Sequence, residues 1–151
     1  MAEVISFARS DALAAWAPSL AACSTNGIVL MAGLKSNMFS RNDRLNKCLV
    51  QDSAHVTPGS HGEHVALIQI AVLLLAGGQI SGSEIQGQTY GKTTAVAVLD
   101  YKARRGIINR AYQARPDEIV GRMTIAAMDI EMQGVEMAER FKQVRSTQNN
   151  S

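Results

Sequence analysis

Between Asn42 and Met132 the apolar positions recur at helical spacing in three separate stretches. In the first, Val65, Ile68, Val72 and Leu75 stand at i, i+3, i+7 and i+10, which lays one stripe along a helix. In the second, Thr94, Ala97, Val98 and Tyr101 stand at i, i+3, i+4 and i+7. In the third, Thr124, Ala127 and Met128 repeat the beginning of that stripe. A glycine precedes each stretch: Gly62, Gly91 and Gly121. Glycine is acceptable at a helix N-cap and lets the incoming chain turn sharply. The pattern predicts helices over 63–75, 92–105 and 122–133, packed as one bundle in an all-α fold.

Two of the launches read alike. "YGKTTAVAV", Tyr90 to Val98, and "VGRMTIAAM", Val120 to Met128, share an apolar residue, Gly, a basic residue, a free position, Thr, and two positions before Ala-apolar. Thr94 and Thr124 fall near the third helical position, where a hydroxyl can bond back to the incoming loop. Tyr90 and Val120 can pack as staples on the next turn. The repeat is a loop-to-helix device used twice. Glu63 gains from the dipole of the first helix. Lys92 and Arg122 do not, so their recurrence needs another reason, such as alkyl stems covering apolar surface.

Residues 1–41 lack this pattern. Their "STNG" and "SNMFSRN" segments read as loops, with an alanine-rich helix near residues 8–22. From Gln133 the chain turns polar and ends "RSTQNNS", the composition of a frayed tail. The organisation predicted is an N-terminal extension over 1–41 that packs on the bundle, a helical domain over 42–132, and a polar tail over 133–151.

Composition narrows the partners. The 151 residues are 46% hydrophobic and 19% charged, as in an ordinary globular chain. Aromatic residues make up 5%, so the core must be mostly aliphatic. A net charge of +2 does not by itself call for a polyanion. The longest apolar run, Val65 to Ala76, contains Gln69 and falls short of the roughly 18 residues of a membrane span. "LAAC", Leu20 to Cys23, has the form of a lipobox, but Glu3, Asp11 and Pro18 disrupt the leader such a site needs. Synthesis in the cytoplasm without a signal peptide is the expectation. Cys23 and Cys48 read as free thiols, the alternative being a disulfide that closes the loop between them.

Candidate chemistry is sparse. His55, His61 and His64 cluster in sequence without a carboxylate or Cys at ligand spacing, so no metal site is expected. There is no GxSxG motif. Asp129 and Glu131 fall on different helix faces, which disfavours a paired-carboxylate site. Neither catalysis nor a cofactor is expected. "KARRGIINRAYQAR", Lys102 to Arg115, carries five cations, no acid, and Tyr112. It is either a solvated helix end and loop, where cations suit the helix C-terminus, or a patch for carboxylates or phosphates. No nucleic-acid motif accompanies it.

Gly59, Ser60, Gly62, Val65, Ile68, Gln69, Val72 and Leu75 open one helix. Tyr90, Gly91, Thr94, Ala97 and Val98 open a second, and Val120, Gly121, Thr124, Ala127 and Met128 a third. In order and spacing, these residues resemble the peptidoglycan-binding domain family, a small three-helix module found on many cell-wall hydrolases. The resemblance spans residues 56–132. The family places Asp-Gly shortly before the second helix, where this chain has Gly87 and Gln88; before the third helix Asp117 is in place but Glu118 replaces the glycine. Both connecting loops, Ala76–Thr89 and Ile108–Glu118, are longer than the family's.

The resemblance implies a three-helix bundle that recognises peptidoglycan or cell-wall fragments without catalysis. It directs attention to a shallow groove at the start of the second helix and the two long loops. The expected contacts are Tyr90, Lys92, Arg105, Arg110 and Tyr112, with Tyr101 in the core. A second reading uses the same fold as a protein–protein interaction module: an adaptor, a chaperone or an assembly component, including one tied to a secretion machine. The lack of a signal peptide favours that reading; delivery by a non-classical route reconciles the first.

Overall fold

The computed structural model describes residues 33–148. They form five helices: α1 (Asp43–Cys48), α2 (Glu63–Ala76), α3 (Gly82–Gln86), α4 (Lys92–Arg105) and α5 (Arg122–Gln148). A short 3-10 turn, Asp52–Ala54, follows α1. Among the described residues there is no β-strand, and the fold is all-α. The alanine-rich segment near residues 8–22, "LAAC" and Cys23 lie outside the described residues.

α2 is the central helix, packed against both α4 and α5. Val65, Ile68, Ala71 and Val72 of α2 are fully buried. They meet Val98 and Tyr101 of α4 and Ile125 and Met128 of α5 in one aliphatic core. Gln69, the polar residue in the apolar run, is also fully buried. Its Nε2 donates to Thr94 Oγ1 at 2.9 Å, Thr89 O at 3.0 Å and Glu84 O at 3.3 Å. Gln69 Nε2 therefore links α2 to α3 and to the α4 start, while its Oε1 is buried without a hydrogen-bond partner among the described residues.

The repeated motif has a common backbone partner, the segment 56–62 that leads into α2. Val56 and Val120 exchange N–H···O bonds of 3.0 and 2.9 Å. Tyr90 N–H donates to Ser60 O at 2.8 Å, and Gly59 N–H donates to Tyr90 O at 2.9 Å. Tyr90 and Val120, equivalent in the repeat, are thus both tied to one strap. Their side chains are buried in the core.

Helix stops follow from glycine. At Gly106 the backbone is left-handed (φ 62°), and Ile107 N–H returns to Lys102 O at 3.0 Å while its side chain joins the core. This is the glycine-terminated end that leaves last-turn carbonyls satisfied.

Three boundaries differ from the sequence expectation. The core begins before residue 42: Leu34 and Phe39 are buried in it. Asp129 accepts from the N–H groups of Lys35 and Ser36, and Glu136 from those of Asn37 and Met38, at 2.8–3.1 Å. The segment is held by side chains on α5 rather than by regular structure, so it carries no periodic signal. The polar stretch expected to fray from Gln133 is helical through Gln148. Finally, the long loop Ala76–Thr89 contains α3, and α1 precedes the domain's first predicted helix.

Candidate binding cleft

The two repeated helix starts are built differently. Gly91, the N-cap of α4, offers no side chain to the first-turn N–H groups. Glu84 of α3 supplies one from outside: its carboxylate accepts from Thr93 N–H at 3.0 Å, Thr94 N–H at 2.9 Å and the Thr94 hydroxyl at 2.7 Å. A helix N-terminus favours such an anion. Burial alone would raise the Glu84 carboxyl, but these hydrogen bonds outweigh it and bring it to about 2.

At α5 the neighbour of the launching glycine is His55 instead. A Cβ built on Gly121 would lie 3.3 Å from the His55 ring, whereas one on Gly91 would meet the Glu84 carboxylate. His55 Nε2 is buried without a hydrogen bond; Asp52 Oδ1 lies 3.4 Å away but is not aligned to accept one. Beside this imidazole opens a cleft of about 590 Å³. Its walls are the first turn of α5 from Gly121 to Thr124, the 3-10 turn, and the loop that leaves α4.

That loop is internally braced. Ala111 N–H donates to Asn109 Oδ1 at 3.2 Å, and Tyr112 and Gln113 N–H donate to Asn109 O at 3.0 and 2.8 Å. Lys102, buried against the cleft floor, donates to Asp117 and, at 3.0 Å, to Ile119 O. Gln113 donates to the other Asp117 oxygen. Burial pushes the Asp117 carboxyl up, but Lys102 and the Ile119 N–H more than compensate, holding it below its usual value. Lys102 is a structural cation here. Arg122, at the first position of α5, is exposed on the rim and forms no ion pair among the described residues.

The expected contact residues divide. Tyr90 is 1% exposed, its hydroxyl donating to Glu118 O at 2.6 Å. It has no face for a ligand, because its ring is buried in the core. Arg105 is also engaged: its guanidinium pairs with Glu131, donates to Leu75 O at 3.1 Å and lies 4.0 Å over the Tyr101 ring. It ties α2, α4 and α5 together. Lys92 is exposed at the α4 start, away from the cleft. Arg110 and Tyr112 are exposed on the braced loop, and neither lines the cleft. Tyr101 is fully buried, as expected.

The sequence expectation missed His55, Asn109, Gln113 and Arg122 as neighbours in space. The recurrence of a basic residue after the launching glycine was the available signal for Arg122. The three clustered histidines separate: His55 lines the α5 cleft, while His61 and His64 line a shallower hollow with Arg44. Comparison with protein-family models, curated proteins and solved structures gives no match for the chain.

Proposed function

We propose that this chain is a non-catalytic binding module whose α5 cleft receives a carboxylate of a cell-wall peptide. One observation carries the reading. Of two equivalent helix starts, one is capped by the chain's own Glu84 and the other opens on a cleft rimmed by His55 and Arg122. An external carboxylate in that cleft, beside the His55 ring that faces Gly121, would meet the first turn of α5 as Glu84 meets that of α4. The helix dipole and a guanidinium favour that charge together. The motif resemblance to peptidoglycan-binding domains supplies the ligand class, since wall stem peptides end in carboxylates.

Co-sedimentation with purified peptidoglycan tests the proposal. At low salt the wild type is expected in the pellet, with less at high salt because exposed charges are screened. Arg122→Glu should weaken binding roughly tenfold or more, as repulsion replaces a charge-assisted contact. Lys92→Glu, the equivalent change on α4, should leave binding unaltered. A wild type that stays in the supernatant contradicts the proposal; an Arg122→Glu protein that sediments as well as wild type removes the cleft from it.

The protein-interaction reading is favoured by a separate observation: the apolar outer face of α5, which outruns the bundle.

A further inference from the structure

α5 has two apolar faces. Ile125, Met128 and Met132 point into the core. On the opposite side Met123, Ile130, Met137 and Val144 follow one another at intervals of seven residues, and each is more than half exposed. Phe141, 69% exposed, stands four residues after Met137, and Gly134 four after Ile130. A seven-residue apolar repeat with companions at i+4 is the seam of a helix that winds on another helix. Gly134 lets the second backbone come close.

The helix also needs a neighbour. From Met137 to Gln148 every residue is exposed. Twelve residues are about the length at which an unsupported helix is marginal in water. The projecting end contains no Pro or Gly and keeps one local pair, Lys142 with Glu139 at 2.7 Å.

We propose that the outer stripe of α5 is a self-association seam, occupied by α5 of a second copy running antiparallel. The charges beside the stripe choose both the occupant and its direction. Arg140 flanks one side; Glu131 and Arg145 flank the other. A parallel pair of helices sets opposite flanks against each other, which brings Arg140 against Arg145 of the second copy, twice. An antiparallel pair sets like flanks together, which brings Arg145 against Glu131 of the second copy twice and one Arg140 near the other once, a net attraction where the parallel pair has only repulsion. Flanking charges fix orientation in helical pairs in this way. Glu131 already pairs with Arg105, but 32% of its side chain remains exposed to receive a second cation. The seam and the cleft share only Met123, at the start of α5; the stripe from Ile130 onward lies outside the cleft and does not depend on wall binding.

Sedimentation equilibrium of the full chain, from low to high micromolar concentration, tests this. The wild type is expected to pass from monomer to dimer. Phe141→Glu and Met137→Glu alter residues that are exposed in the monomer, so helical circular dichroism should persist. Each should raise the dissociation constant roughly tenfold or more. Arg145→Glu separates the orientations: it places acid against Glu131 in the antiparallel pair and weakens the dimer, whereas it would relieve the parallel pair and strengthen it. A wild type that remains monomeric throughout overturns the proposal, as does a dimer indifferent to both apolar substitutions. A tighter Arg145→Glu dimer overturns the antiparallel arrangement.

Discussion

A Cβ at position 91 would lie 2.4 Å from Cδ of Glu84. The carboxylate keeps its seat over α4 only while residue 91 is glycine. The backbone there does not demand glycine (φ −92°), so the reason for Gly91 is the cap and not the turn. Because Glu84 is a flexible side chain, Gly91→Ala should displace it rather than break the fold. The cost is the lost cap, about 1 kcal/mol. Glu84→Ala should cost about the same, and the double variant little more than either alone, since both remove one interaction. Thermal melts of the three proteins check this; strictly additive losses would contradict it. The same carboxyl sets an acid limb. Its value in the fold, about 2, lies below its ordinary 4.5. The unfolded chain therefore binds this proton first as pH falls. The stabilisation is complete above about pH 4.5 and disappears as pH drops toward 2. Asp117 and Glu131, both held below their usual values, act in the same direction. Glu84→Gln should flatten the decline between those limits without abolishing it.

Among the elements, α2 and α4 were legible nearly to the residue. Their glycine launches, apolar stripes and terminal Gly77 and Gly106 all mark the same bounds. α5 was legible only where it is buried. Beyond Met132 its inward face is no longer held in the core, so polar composition read as a tail although the helix continues. α3 is too short for periodicity, but Ser81 and Glu84 have the spacing of a helix N-cap pair. In the structure Glu84 turns instead to the next helix. The candidate site was less legible, because it joins residues 52–55, 109–113 and 121–124 across the chain. Gln88 is the element-scale anomaly. It alone among the described non-glycine residues has positive φ (49°), at the link from α3 to α4. Its carbonyl accepts from Gly62 N–H at 2.9 Å, which holds it in that conformation. Gln88→Gly should relieve the left-handed strain by more than it loosens the unfolded chain. A net gain of roughly 0.5–1 kcal/mol is expected. A lower melting temperature in this variant would show that the side chain has a favourable role.

For the molecule as a whole, one strap aligns two like helix starts, and among the described residues only the α4 start has a carboxylate bonded to its first-turn N–H groups. The chain thereby contains its own control. Amide spectra recorded while a soluble muramidase digest of peptidoglycan is added would read both starts at once. The N–H resonances of Gly121 to Thr124 and the His55 ring are expected to shift with saturation, while those of Gly91 to Thr94, already bonded to Glu84 or facing it, stay in place. Arg122→Glu should remove the shifts. Shifts confined to the α4 start, or none at either start at saturating fragment, would contradict it.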